Sequence, residues 1–126
     1  MNYRTPLARA RGLGTARDGV THWWRQRLSS IALIPLSLWL ACAVAAWPHA
    51  SHGQFVAWVG SPWNLVLLLA TVLVAFVHAA LGIQVVVEDY VHIGWFKFLA
   101  LIVTQLSLGL LVLAAIISVL RIAFAV

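Results

Sequence analysis

The sequence predicts an all-α integral membrane protein with three transmembrane helices. Three observations carry this reading. The chain holds three long apolar runs; 63% of its residues are hydrophobic and only 9% charged; and its basic residues gather at one end. Average soluble chains carry roughly 25% charged residues, far more than this chain could spread over a water-facing surface.

The first apolar run covers residues 28–47, between Arg27 and Pro48. The second covers residues 65–87 and stops at Glu88-Asp89; the third covers residues 98–120, between Lys97 and Arg121. Each is close to the roughly 20 residues that cross a hydrocarbon core of about 30 Å. Lipid offers no hydrogen bonds, so all three must be helices with their backbone groups paired internally. Pro35 near the start of the first span predicts a mild kink there. Residues 1–27 then form a basic tail and residues 28–126 the transmembrane domain.

Eight Lys and Arg stand against three acidic residues. Such a balance can mark a nucleic-acid binder, but Arg4, Arg9, Arg11, Arg17, Arg25 and Arg27 all precede the first span. That placement fits an anionic membrane face and excludes nucleic acid as the partner. No Lys or Arg lies between Pro48 and Asn64, so the positive-inside rule puts the N-terminus and the 88–97 loop in the cytoplasm. Trp23, Trp24 and Trp95 mark the inner interface, and Trp47, Trp58 and Trp63 the outer one. Trp39, inside the first span, needs a packing partner. An Arg-rich, acid-poor start also occurs in organelle transit peptides. This one is poor in Ser and runs straight into the first span, which favours a bacterial inner membrane over a mitochondrial one. Cys42 is the only cysteine and sits in an apolar run, so a disulfide, thiolate metal site or covalent haem attachment within the chain is excluded.

Ionisable groups inside a membrane are costly and mark function. His78 is such a group, about 14 Å above the cytoplasmic end of its span at about 1.5 Å per residue. Thr71, Ala75, His78, Gly82, Val85 and Asp89 recur at three- and four-residue steps and share one face. Ala75 and Gly82 leave room beside the imidazole, either for a flat ligand such as a porphyrin or for close helix approach. In the third span Thr104, Ser107, Leu111, Ala114 and Ser118 form a second small-residue stripe, expected to pack against a helix, with Gln105 on a neighbouring face. Glu88, Asp89, Tyr90 and His92 concentrate polarity at the cytoplasmic end of the second span. Asp89 lies three turns below His78 on the same face, about 16 Å away. An Asp-Tyr pair there could bind a carbonyl ligand and relay protons.

The run His78-Ala-Ala-Leu-Gly82-Ile-Gln84-Val-Val-Val-Glu88-Asp89-Tyr90-Val resembles the small hydrophobic membrane-anchor subunit of succinate dehydrogenase (respiratory complex II). Its pattern is a His, a Gly four residues on, and Asp-Tyr eleven and twelve after the His. Gly12-Leu-Gly14-Thr-Ala-Arg-Asp-Gly19 and His22-Trp23-Trp24-Arg-Gln-Arg27 resemble members of α-proteobacterial type. The resemblance implies helices packed with a companion subunit's around haem b. His78 would be one axial ligand, Gly82 would pack on the haem, and Arg27 would meet a propionate, with Arg25 the alternative and His22 nearby. Tyr90 would line the ubiquinone site with Asp89 beside it. The implied partners are a larger cytochrome b anchor subunit, an iron–sulfur subunit and a flavoprotein subunit. This chain has no flavin motif and no cluster cysteines, so the dehydrogenase chemistry would belong to those partners. Rival readings are a small transporter or channel subunit using His78 as a proton or ion group, and a cofactor-free structural anchor.

Cysteine labelling is expected to place Asn2 and Ile93 on the cytoplasmic side and Phe55 outside. Labelling of Ile93→Cys from outside intact cells would overturn this map.

Overall fold

The computed structural model describes residues 16–46, 49 and 51–124, with side chains from residue 19 onward. The basic residues and glycines before residue 16, the side chain of Arg17, and Trp47 and Pro48 lie outside the described residues. Among the described residues four helices run in chain order: α1 (Ala16–Ala46), α2 (His52–Gly60), α3 (Pro62–Tyr90) and α4 (Gly94–Ala123). The helical spans Gly19–Ala46, Pro62–Tyr90 and Gly94–Ala123 are long and apolar enough to cross a membrane.

Each helix outruns the apolar run that predicts it, because helix formation does not stop where hydrocarbon stops. α1 starts at Ala16 rather than near Leu28, so residues 16–27 continue the span as helix. It also continues through Pro35, and the Ser37 hydroxyl donates to the carbonyl oxygens of Leu33 at 2.6 Å and Ile34 at 3.1 Å. The stretch between the first two spans is not simply a loop but contains α2. A capping box starts α2: the Gln54 backbone N–H donates to Ser51 Oγ at 3.4 Å, and Gln54 Oε1 accepts from the Ser51 backbone N–H at 2.9 Å. Ser61 then ends α2 and begins α3, with Pro62 in the first turn, where its missing N–H costs no helical bond.

α3 is the central element. It packs against α1 on one side and α4 on the other, while no Cα pair of α1 and α4 comes within 8 Å. The spans therefore lie side by side, and α2 covers one end by touching α3 and α4. At Gly60 a Cβ atom would sit 3.1 Å from the Ala123 carbonyl oxygen, so glycine lets α2 reach the end of α4. Trp39 finds its partner here: its ring stacks on Trp58 with centroids 5.7 Å apart and planes 16° apart. Trp58 thus faces inward, whereas Trp63 is 79% exposed, as suits a headgroup-facing aromatic. Asn64 Nδ2 donates to the Trp58 carbonyl at 2.9 Å and ties α2 to α3.

Among the described residues only Val59 and Ser29 are buried. The accessible surface, 9595 Å² for 13.8 kDa, exceeds the roughly 6,600 Å² expected of a compact soluble monomer of this mass. Ser107, Leu111, Ala114 and Ser118 stand uncovered on α4, so most of the stripe expected to pack does not face α3. α4 instead half-buries Leu101, Thr104, Leu108, Val112 and Ala115, a face spaced by three and four residues.

Trp58→Ala is expected to lower the stability of the end that carries α2 by on the order of 2 kcal/mol, from lost area and lost stacking. Trp63→Ala should cost little. A double-mutant cycle with Trp39→Ala, read as thermal dissociation of the detergent-solubilised assembly, should show a coupling of about 1 kcal/mol. Strict additivity would refute the stacking contribution.

Candidate cofactor and quinone sites on the central helix

The contact between α1 and α3 is organised around His78. Its half-buried ring faces two side chains of α1: Ser29 Oγ lies 3.0 Å from Nδ1, and Gln26 Nε2 lies 3.5 Å from Nε2. Ser29 Oγ also donates to the Gln26 carbonyl oxygen at 2.9 Å. His22, Gln26 and Ser29 follow one another at four and three residues, so they share a helix face. That face was legible in the sequence once α1 is allowed to begin before Arg25. Taking the span to start at Leu28 hides it, and neither Gln26 nor Ser29 then reads as a partner of His78.

Gly82, one turn below His78, borders the same amide. A Cβ added there would stand 3.6 Å from Gln26 Nε2, so Gln26 occupies the space that glycine leaves open. Gln26 Oε1 and His22 Nε2 are both buried without a hydrogen-bond partner among the described residues. Burying such an atom unpaired costs about 1–3 kcal/mol. Both residues line a cavity of about 740 Å³ between α1 and α3, bordered also by Arg25, Gln84 and Glu88. A second cavity, about 360 Å³, runs along Arg25, Ser29 and Val77. Arg25 therefore borders both. The Arg27 guanidinium instead lies 5.3 Å from the centre of the Trp23 ring, a cation–π contact.

Asp89 and Tyr90 form a separate place at the end of α3, and the fold does not bring them to His78. Both are exposed, Tyr90 by 79%. Twelve residues of helix put Tyr90 about 18 Å from His78 along the axis. The helix end is held by its neighbours. Lys97 Nζ donates to the Glu88 carbonyl at 2.6 Å, His92 Nδ1 donates to the Tyr90 carbonyl at 3.0 Å, and Gln84 Nε2 donates to Glu88 Oε1 at 2.8 Å. Gln84 and Gln105 line a cavity of about 400 Å³ between α3 and α4. No cluster of three or more metal-ligating side chains occurs among the described residues.

The sequence matches a known family over nearly the whole chain. The family described as succinate dehydrogenase/fumarate reductase transmembrane subunit matches residues 1–122. The chain belongs to that family. It is 32% identical over 118 residues to the succinate dehydrogenase hydrophobic membrane anchor subunit of Rickettsia bellii, covering 94% of each chain. It is 33% identical over 115 residues to the protein of that name from Paracoccus denitrificans, covering 91% of this chain and 88% of the relative. A more distant relative, the succinate dehydrogenase membrane anchor subunit of Porphyra purpurea, is 27% identical over 110 residues. The succinate dehydrogenase resemblance read from the His78-to-Tyr90 run is thus borne out, as is the all-helical membrane fold. As a transmembrane subunit of this family the chain is a multi-pass membrane protein, and its uncovered helix faces are where lipid and other subunits must lie.

Proposed function

We propose that this chain is the small anchor subunit of a succinate dehydrogenase in a bacterial inner membrane, with its N-terminus in the cytoplasm. It docks the flavoprotein and iron–sulfur subunits on that face and pairs with a larger cytochrome b anchor subunit. The observation that carries the reading is His78, held mid-span by side chains of α1 and set above Asp89-Tyr90 on one continuous helix.

The residues present fit a b-type haem. A neutral imidazole is a usual axial base, and the surroundings of His78 supply polar atoms that await a partner, Gln26 Oε1 and His22 Nε2. His78 would provide one axial nitrogen and the companion subunit the other. Gly82 leaves space beside it that the Gln26 side chain fills and would vacate for the ring. Bound there, haem accepts and passes single electrons. Of the two arginines considered for a propionate, Arg25 is better supported than Arg27, because it borders both cavities beside Gln26 and Ser29. A guanidinium binds carboxylate as a fork of two hydrogen bonds.

Ubiquinone is the proposed electron acceptor, reduced to quinol by two electrons from succinate and two cytoplasmic protons. Tyr90 sits where the apolar layer meets the polar one, with its hydroxyl unbonded among the described residues, and would donate to a quinone carbonyl. Asp89 beside it would hold or pass a proton.

Two measurements on the assembled complex test this reading. His78→Ala should abolish or alter the low-spin haem spectrum, whereas Leu67→Ala should leave it intact; a wild-type spectrum and potential in His78→Ala would reject the ligand. Tyr90→Phe removes only a hydroxyl, and should lower quinone-linked turnover about tenfold to a hundredfold, equivalent to about 1–3 kcal/mol. Succinate oxidation by an artificial acceptor should stay near normal. An unchanged ratio of the two activities would remove Tyr90 from the quinone site.

A further inference from the structure

We infer that Ser29 is a positioning residue for the haem: it holds His78 in the one tautomer that can bind iron through Nε2. The inference rests on His78 being the ligand and adds what fixes its ring.

Ser29 is the buried polar residue of the described structure, 7% exposed. Its hydroxyl has one proton, and that proton is engaged with the Gln26 carbonyl oxygen at 2.9 Å. Toward His78 Nδ1, 3.0 Å away, the oxygen therefore presents a lone pair. Nδ1 must then carry the hydrogen, which leaves the lone pair of His78 on Nε2. The other contact requires the same tautomer. Gln26 Nε2 is a donor only, and at 3.5 Å from His78 Nε2 it needs an acceptor there. Two independent neighbours thus agree on Nδ1–H.

The two contacts differ in strength. The Ser29 contact is short and its oxygen is locked to the α1 backbone, whereas the Gln26 contact lies at the limit of a hydrogen bond. Ser29 holds the ring, and the Gln26 amide covers Nε2 loosely over the bare backbone of Gly82. Rotation of one flexible side chain uncovers the nitrogen without moving the imidazole. A ligating histidine generally gives its other N–H to a fixed acceptor, which orients the ring and raises its basicity.

Ser30 supplies the internal control. Its hydroxyl donates to the same Gln26 carbonyl, at 2.8 Å, and makes no hydrogen bond to His78. Ser29→Ala and Ser30→Ala therefore remove equivalent helix contacts, and only the first removes the acceptor for Nδ1–H.

The experiment compares the purified complexes by haem midpoint potential and by the rate of haem loss in detergent. Ser29→Ala should retain a low-spin spectrum but lose haem about tenfold faster, the lower end of the second-sphere range because a hydroxyl is a neutral acceptor. Its midpoint potential should rise, since a less basic imidazole stabilises ferric iron less. Ser30→Ala should match wild type, and Ser29→Thr should restore the potential. Equal potentials and equal loss rates in Ser29→Ala and Ser30→Ala overturn the inference. If Ser29→Ala does not assemble, Ser29→Cys decides: it keeps the volume with a weak sulfur acceptor, so its potential should rise, and a wild-type value overturns the inference. His78→Ala separates the two levels. A wild-type haem spectrum there refutes the ligand itself, whereas loss of haem there with no effect at Ser29 refutes only the positioning role.

Discussion

The contact of His78 with Ser29 and Gln26 sets how α1 and α3 meet. Lipid chains are as apolar as Leu or Val side chains, so apolar helices gain nothing in the membrane from hiding from water. Their association rests on close packing and on the few polar groups that must find partners across it. Interhelical hydrogen bonds in membranes average only about 0.6 kcal/mol, so these contacts do little for raw stability. Their effect is on register. Sliding α1 by one turn, about 5.4 Å, would separate Ser29 from Nδ1 and leave polar atoms of both helices facing hydrocarbon. With that register set, Arg25 falls on the cavity walls, Gln26 falls over Gly82, and the start of α1 lies beside the end of α3.

That arrangement makes an incomplete molecule. α3 touches both other spans, yet α1 and α4 do not meet, so no closed bundle forms. The polar groups left over are specific: Gln26 Oε1 and His22 Nε2 are buried and unpartnered, and the Tyr90 ring is uncovered. On the proposed function, each would belong to a site completed by another subunit. The end that carries α2 is finished differently. There α2 closes over the ends of α3 and α4, Val59 is buried, and the Trp39–Trp58 stack ties α1 to the cover. The end away from the proposed chemistry is capped within the chain, and the end that would receive electrons is open.

Much of this was legible in the sequence, for a simple reason. Apolar length is the strongest constraint that lipid imposes, and it marks all three spans directly. His78 was legible because an ionisable group in hydrocarbon stands out against its neighbours. Gln26 and Ser29 were not, because they lie near the edge of an apolar run, where polar residues are ordinary. Only the knowledge that α1 begins at Ala16 turns them into part of a face. Similarly, α2 hid in a stretch too short and too mixed for a span, although Ser51 and Gln54 carry its capping box. The stripe on α4 misled in another way. Small residues mark a surface that can be approached closely, but nothing in their spacing says whether the approaching helix belongs to the same chain.

The choice of partners for His78 follows from where it lies. In water-exposed metal sites a ligating histidine often gives its second N–H to a carboxylate, which raises its basicity most strongly. A carboxylate on α1 at the level of Ser29 would be an ion in the apolar layer, at a cost of about 2.5–3.5 kcal/mol on insertion scales. Nor is there a cation among the residues bonded to His78 to offset it. A serine hydroxyl is a neutral acceptor, small enough to be buried between two helices, and its own proton is satisfied by the α1 backbone. It can fix the tautomer without placing charge in the membrane. The acids of α3 stand instead at Glu88 and Asp89, about 15–16 Å along the axis, where both are exposed. Electron transfer and proton transfer make opposite demands on their surroundings, and on the proposed function α3 would meet both, with a neutral imidazole deep in the span and the carboxylates at its end.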